Sequence, residues 1–450
     1  MGRLFGTDGV RGVANTELTC EMAMAIGRAA AMVLTAESGK RPKVLIGKDT
    51  RASGDMLETA LCAGLCSVGA DVHLLGVVPT PAVAFLVKAY TADAAVMISA
   101  SHNPCEYNGI KIFNGEGFKL SDGLEEEIEA IVLDNAKTIP TPTGGDVGRV
   151  YRCEKAVDDY VRHLLSTVSV NLQGLHIAVD CANGSASVTA KKLFDALGVR
   201  CEFLSCTPDG VNINDGCGST YLEPLAAYVK KHKLDGGVAF DGDADRCLAV
   251  DENGNVIDGD QMIAAMATDL KAQGALKGNV AVVTVMSNLG FFRYCEDAGI
   301  EVAATKVGDR YVLEEMVKED YVIGGEQSGH IILRAFGTTG DGQLSAIHLL
   351  SVARRNGWKL SRVGSMMQRY PQVLLNVRAD TAQKALYHEI AQIAALIEEV
   401  DASLGKNGRV LVRPSGTEPL IRVMVEGKDF EVINDAAVTI CEAIKNLIGG

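Results

Sequence analysis

The sequence predicts an α/β chain of three related domains, at residues 1–150, 151–254 and 255–368, followed by a smaller α+β domain at 369–450. Three observations carry this expectation. A strand–helix–strand pattern occurs three times, and each copy passes from helix to strand through a glycine. The copies start about a domain length apart. The chain's 450 residues are enough for three or four domains of roughly 100–200 residues each.

In chain order, Lys43-Val-Leu-Ile-Gly47 is an apolar strand, followed by a polar loop and a helix through Val68. Gly69 then offers a cheap left-handed cap before a strand ending His73-Leu-Leu-Gly76. Residues 138–148, TIPTPTGGDVG, read as a linker. The second copy runs from Leu175–Asp180 through the helix KKLFDAL and Gly198 to Arg200–Leu204. Asp251-Glu-Asn-Gly-Asn255 reads as a hairpin turn between the second and third domains. The third copy runs from Asn279–Thr284 through FFRYCEDA and Gly299 to Glu301–Lys306. Arg355-Asn-Gly357 and Tyr370-Pro371 bracket a looser stretch. Beyond it, strands near 372–378 and 409–425 alternate with helices near 380–399 and 430–447. Short apolar strands joined by crossover helices call for mostly parallel sheets covered on both faces.

Composition excludes several classes. Apolar residues are 47% and charged residues 22%, ordinary for a globular chain. A net charge of −14 argues against nucleic acid or an anionic membrane as partner. No apolar run reaches the roughly 18 residues of a membrane span. The opening MGRLFGTDGVRG lacks the apolar middle of a signal peptide, and Gly6 fails the myristoylation pattern. The 12 cysteines therefore read as reduced thiols in the cytoplasm. Cys62 and Cys66 read as core thiols, and Asn183-Gly-Ser185 as a chance glycosylation match. No G-x-x-x-x-G-K-[ST] loop occurs, which argues against ATP hydrolysis of that type.

The chemistry is expected in polar loops, several directly after strands, where open α/β sheets bind ligands. Ser99-Ala-Ser101-His102-Asn103-Pro104 follows one strand. It is either a capped turn or a nucleophile loop, and neighbouring Ser and His suit a hydrolase pair poorly. Asp241-Gly-Asp243-Ala-Asp245-Arg246 follows another. Three carboxylates so close repel unless a cation joins them, and hard oxygen ligands suit Mg²⁺ or Ca²⁺. An EF-hand fails because Arg246 occupies the position that needs glycine and strands flank the loop. An aspartyl-phosphatase nucleophile at Asp241 and a solvated acidic turn are the alternatives. Gly324-Gly-Glu326-Gln-Ser328-Gly-His330 offers acceptors and donors suited to a polyol, or forms a turn. Arg413-Pro-Ser415-Gly416-Thr417-Glu418, with Arg422 following, makes an anion cradle. Weaker clusters of cations among glycines and hydroxyls contain Arg11, Arg51, Lys111, Lys306 and Arg310. Together these loops suit a sugar phosphate, with phosphoryl chemistry at one end and phosphate recognition at the other.

The set FGTDGVRG, SASHNP, DGDADR, GEQSGH and RPSGTEP, in that order and spread over essentially the whole chain, resembles the α-D-phosphohexomutase superfamily. The resemblance implies three mixed-sheet α/β domains around a central cleft plus a C-terminal domain of TATA-binding-protein-like shape. It implies a phosphoserine at Ser101 and one Mg²⁺ per subunit on Asp241, Asp243 and Asp245, with the seryl phosphate of Ser101 as a further ligand. Glu326 and Ser328 would read sugar hydroxyls with His330 nearby. Arg413, Ser415, Gly416, Thr417 and Arg422 would hold the distal phosphate. Arg11, His102, Lys111, Arg246 and Lys306 would line the catalytic end, with His102 and Lys111 both open as general base. The GEQSGH loop with the FGTDGVRG opening is similar to the bacterial branch that interconverts glucosamine 6-phosphate and glucosamine 1-phosphate for UDP-N-acetylglucosamine and peptidoglycan precursors. For that branch the resemblance implies a phosphorylated hexosamine as partner, a glucosamine or glucose 1,6-bisphosphate as activator, and allows a homodimer. The phosphoglucomutase and phosphomannomutase branches, a metal-dependent sugar phosphatase and a non-catalytic sugar-phosphate sensor are the rival readings. The stretch after Pro104, Cys105-Glu-Tyr-Asn-Gly-Ile-Lys111-Ile-Phe, departs from common relatives in its packing residues but keeps the lysine.

Overall fold

The computed structural model describes residues 2–6, 8–35, 40–387, 389–415 and 419–449. Two compact units result: Met1–Met286 with Gly299–Met366, and Ser287–Ala298 with Met367–Gly450.

The first unit holds three sheets. The first is built from β1 (Val10–Val13), β2 (Lys43–Lys48), β3 (Asp71–Val77), β4 (Ala94–Ile98), β5 (Tyr107–Asn114) and β6 (Val150–Arg152), in the order β1-β5-β4-β2-β3-β6. β2 is parallel to β3 and β4, while β5 runs antiparallel to β4 and β1. Every residue of β4 is buried, as expected of a strand covered on both faces. The expected linker 138–148 leads directly into β6, which pairs with β3 and so stays in this sheet.

The second sheet contains β7 (His176–Asp180), β8 (Arg200–Leu204), β9 (Gly236–Phe240), β10 (Cys247–Asp251) and β11 (Val256–Ile257), in the order β11-β10-β9-β7-β8. The Asp251–Asn255 turn is a hairpin joining β10 to β11 within this sheet. The Asp251 carboxylate holds the turn by accepting from the backbone N–H groups of Asn253 and Asn255, each at 2.8 Å. The third sheet contains β12 (Val280–Thr284), β13 (Glu301–Thr305), β14 (Ile323–Gly325) and β15 (Ile331–Leu333), in the order β13-β12-β14-β15.

The repeat read from the sequence is present. β2 and β3, β7 and β8, and β12 and β13 are parallel pairs. Gly69, Gly198 and Gly299 have φ of +92°, +68° and +62°, where a residue with a Cβ is disfavoured. The catalytic candidates follow the carboxyl ends of β4, β9 and β14, so the sheets present them from corresponding positions.

The second unit is α+β. β16 (Gln372–Arg378), β17 (Gly408–Pro414) and β18 (Leu420–Gly427) form an antiparallel sheet in the order β16-β18-β17. The strand region expected near 409–425 thus holds two paired antiparallel strands, β17 and β18. Ile421, Val423 and Val425 pack on Ile433, Ile440 and Ile444 of the helix Phe430–Ile448. The crossover helix of the third repeat, Leu289–Ala298, belongs to this unit. Buried Asn288 donates to Tyr370 O at 3.0 Å and to Glu426 Oε1 at 3.1 Å, and Leu289 N donates to Glu426 Oε2 at 3.1 Å. Among the described residues, no helix is long and apolar enough to cross a membrane.

Candidate active site

Ser101 follows β4 at a backbone φ of +52°, a region a non-glycine residue rarely occupies. Its side chain is buried, and its hydroxyl donates to Asp241 Oδ2 at 2.6 Å. The two residues are 140 positions apart and come from different sheets. His102 Nδ1 lies 3.4 Å from Ser101 Oγ. Burial, then the nearby Arg246 and Arg11 guanidinium groups, push the His102 imidazole down to about 4.

The aspartate loop after β9 is fully buried, and one oxygen from each of Asp241, Asp243 and Asp245 lies within 4.8 Å of the others. Burial, and then the like charges of Asp245 and Asp243, raise the Asp241 carboxyl well above the usual carboxylate range. Burial would raise Asp245 too, but Lys111, His330 and Arg246 hold it well below that range. Oδ1 of Asp243 and Oδ1 of Asp245 are buried with no hydrogen-bond partner. Such orphaned acceptors call for an explanation, and a divalent cation with hard oxygen ligands supplies one. The residues therefore fit Mg²⁺.

The cation cluster around this loop is denser than the motifs indicate. Lys111, on β5, is buried, and its ammonium lies 2.8 Å from Asp243, 2.9 Å from Asp8 and 3.3 Å from Asp245. Burial opposes the Lys111 charge, but Asp243, Asp8 and Asp245 keep it well above its ordinary value. Arg11, on β1, pairs with Asp8. Lys119 bridges Asp8 at 2.5 Å and Asp309 at 2.6 Å. Thr80 donates its hydroxyl to Asp243 Oδ2 at 2.5 Å and its N–H to Asp243 O at 2.9 Å. Arg246 N donates to Asp241 Oδ1 at 3.2 Å. The Nε atoms of Arg11 and Arg246 are buried without a hydrogen-bond partner, so each retains a donor for an anion. Asp8, Thr80, Lys119 and Asp309 are absent from the sequence reading of the site. Asp8 and Asp309 lie inside cation-bearing motifs noted for their Arg and Lys, while Thr80 lies in none of the motifs.

The third loop reaches the same region. His330 is buried, with Nδ1 3.7 Å from Asp245 Oδ1 and Nε2 3.4 Å from Asp309 Oδ2. Gly340 N–H donates to His330 Nε2 at 3.0 Å, which favours the neutral Nδ1–H tautomer. Burial reinforces that state, whereas Asp245 and Asp309 pull the ring toward protonation and raise it overall. His330 thus backs the aspartate loop. Glu326 is half-buried and accepts from Gly308 N at 3.2 Å. Ser328 Oγ is buried without a hydrogen-bond partner and so retains capacity for a ligand. Lys306 lies apart from the aspartates in its contacts: it is exposed, with its ammonium 6.0 Å from the Tyr311 ring centre.

In the second unit, Arg413 on β17 is paired directly across from Arg422 on β18. Like charges opposite each other on an antiparallel pair repel. Burial, then Arg422, lowers Arg413 from its ordinary value. Ser415 is buried, with its N–H donating to Leu420 O at 2.8 Å. An anion between two such guanidinium groups would remove the repulsion. Gly416 and Thr417 lie outside the described residues.

Four family models of phosphoglucomutase/phosphomannomutase match the chain: α/β/α domain I over residues 2–138, domain II over 158–254, domain III over 258–370 and the C-terminal domain over 374–443. The chain is similar to a phosphoglucosamine mutase of Acetivibrio thermocellus, at 54% identity over 449 residues and 100% of both chains. It is also similar to a phosphoglucosamine mutase of Clostridium novyi, at 54% identity and 99% of both chains. Its fold matches a phosphoglucomutase/phosphomannomutase family protein of Burkholderia thailandensis, with a TM-score of 0.81 at 23% identity, covering 99% of this chain and 98% of that one. It also matches an Aspergillus fumigatus N-acetylphosphoglucosamine mutase in complex with GlcNAc-6P and magnesium, with a TM-score of 0.69 at 17% identity, covering 99% and 96%.

Proposed function

The chain belongs to the phosphoglucomutase/phosphomannomutase family, and from that premise we propose that it interconverts glucosamine 6-phosphate and glucosamine 1-phosphate through a phosphorylated Ser101. The observation that carries this reading is the 2.6 Å contact between Ser101 Oγ and Asp241 across two sheets. The 2-amino sugar is supported by the 54% identity to phosphoglucosamine mutases along the whole chain. The domains divide the labour. Residues 1–150 carry the phosphoserine loop, 151–254 the metal loop, 255–368 the sugar loop and 369–450 the phosphate clamp.

Asp241, Asp243, Asp245 and the phosphate on Ser101 would hold Mg²⁺, which when bound neutralises charge developing on the transferring phosphoryl group. Phosphoryl transfer otherwise depends on positioning and electrostatics. Arg11 and Arg246 keep buried Nε donors that make no hydrogen bond and can serve that group. As the sugar O1 attacks, its bond to phosphorus forms and the phosphorus–Ser101 Oγ bond breaks. The O1 proton needs an acceptor. Lys111, held as an ammonium by three carboxylates, has no lone pair to offer. His102, a ring nitrogen 3.4 Å from Ser101 Oγ, is the better base. The resulting 1,6-bisphosphate turns over. Ser101 Oγ then takes the phosphoryl group from O6, and O6 receives a proton. Arg413 and Arg422 hold whichever phosphate is not reacting, while Glu326 and Ser328 contact the sugar. A reducing cytoplasm suits the 12 cysteines, all free thiols.

Turnover measured side by side on glucosamine and glucose phosphates, with intact-mass analysis of the purified protein, tests the reading. It expects a phosphoryl adduct on Ser101 and preferential conversion of the amino sugar. Release of inorganic phosphate without a sugar 1-phosphate would replace it with the phosphatase reading.

A further inference from the structure

The Ser101 loop is gripped from behind by residues that neither contact a reacting atom nor ligate the metal site. Arg51 Nη2 donates to Ser101 O at 3.1 Å and to Asn103 O at 2.5 Å. Asn214 Nδ2 donates to the same two carbonyls, at 2.9 Å and 3.0 Å. Two carbonyls two residues apart therefore share two donors that come from different sheets.

Both donors are anchored. Arg51 pairs with Asp49, and both side chains are fully buried. Asp49 Oδ2 accepts from Ser99 Oγ at 2.5 Å, and Ser99 Oγ in turn accepts from Ser101 N at 2.9 Å. Asn214 N donates to Ala182 O at 2.9 Å. The Arg51 loop also reaches the second sheet's loops, through Thr50 Oγ1 to Asn183 O at 2.6 Å and Ala52 N to Gly210 O at 2.9 Å. The aspartate loop closes the junction. A Cβ on Gly242 would lie 2.6 Å from Ser101 O and 2.9 Å from Asn214 Nδ2, so only glycine allows this approach. Arg51 Nε is buried with no hydrogen-bond partner, a cost that packing alone does not call for.

We propose that Arg51 and Asn214 are positioning residues: their shared hold on the Ser101 and Asn103 carbonyls keeps Ser101 in its left-handed conformation and fixes its hydroxyl against Asp241. The proposal rests on Ser101 being the phosphoryl carrier. The clamp leaves substrate binding untouched, because both donors are directed at the loop's backbone. It acts on the transfer step, where small misplacements are costly.

Asn214→Ala is the primary test. Asn214 is half-buried and its loss leaves no buried charge. The expected result is a fall of about tenfold in kcat and in the single-turnover rate from phosphorylated Ser101, for loss of the donor that the two carbonyls share. KM should stay within about twofold. Arg51→Ala would leave Asp49 as a buried unpaired charge, so the second variant is the pair Asp49→Asn with Arg51→Met, which removes both charges together. It should match or exceed the Asn214→Ala loss. Wild-type kcat in both variants overturns the clamp. So does a fall in KM-dependent terms alone, or a loss of fold in Asn214→Ala, which would make the residue a structural strut. Failure of wild-type protein to pass a phosphoryl group from Ser101 to the sugar would refute the proposed function instead, and the single-turnover control reads that separately.

Discussion

Two regions of this molecule gather cations, and they arrange them differently. Around Ser101, cations are already matched with anions: Lys111, Lys119 and Arg11 are all tied to carboxylates. At Arg413 and Arg422 two like charges stand directly opposite each other across a strand pair. The first arrangement over-determines position. The second sets like charges side by side, a repulsion that an anion would relieve. A site that makes and breaks bonds needs fixed geometry, whereas a site that must accept either end of a bisphosphate needs tolerance.

The largest expected effect falls on the rigid region. Ser101→Ala should lower turnover by roughly 10³-fold or more while leaving circular dichroism unchanged and Tm lowered only slightly, because the one change in the fold is the lost hydrogen bond to Asp241. Wild-type-like turnover would remove Ser101 from the chemistry and dissolve the contrast. At the tolerant region, Arg413→Ala should lower kcat/KM by roughly 10–100-fold, for a charge-assisted contact of about 1.5–3 kcal/mol, with kcat and KM both affected. Stability should hold or improve as the cross-strand repulsion goes. An unchanged kcat/KM would leave the second unit without a phosphate role.

Magnesium sharpens the contrast further. At a hundredfold excess over its Kd, Mg²⁺ should stabilise the wild-type protein by about 2.7 kcal/mol, read as a rise in Tm. Asp241→Asn should lose that rise, yet melt no lower than wild type in chelator, because a neutral amide relieves the repulsion that raises the Asp241 carboxyl. A retained Mg²⁺ response would place the cation elsewhere. The smallest effect is acid sensitivity in the first unit. Burial, then Arg355, pushes His348 down to about 4, below its unfolded value of about 6.5. The unfolded chain therefore binds the proton first, and stability should fall as pH drops from about 6.5 toward 4. His348→Gln should flatten that decline in pH-dependent urea melts. An identical slope would assign the loss to other groups.

The fold was legible where its signals are local. Apolar five-residue strands, crossover helices and the glycines at 69, 198 and 299 are read within a few residues of each other. The aspartate loop was legible for the same reason, since three carboxylates in five positions demand an explanation by themselves. What the sequence hides are partners set by topology. Thr80 meets Asp243 across 163 positions, Lys119 meets Asp309 across 190, and Lys111 meets Asp243 across 132. No periodicity links such pairs. The sequence places His330 beside a candidate sugar loop, and it does not reveal the contacts with Asp245 and Asp309, which form because the turn between β14 and β15 folds back toward the aspartate loop. The allegiance of the helix Leu289–Ala298 was equally hidden. Its pattern matches the other crossover helices, and the residues that bind it to the C-terminal segment, Asn288 and Arg293 on its side and Tyr370, Lys406 and Glu426 on the other, are ordinary polar or aromatic residues in sequence.

That allegiance has a consequence during synthesis. Asn288 must await Glu426, which leaves the ribosome 138 residues later, or roughly 7 to 28 s at about 5–20 residues per second. Throughout that interval the helix of the nascent third repeat lacks the rest of the compact unit it belongs to. A translational pause or a premature stop in the final segment would therefore expose an internal element as well as a missing tail, giving chaperones and proteases a handle near residue 290.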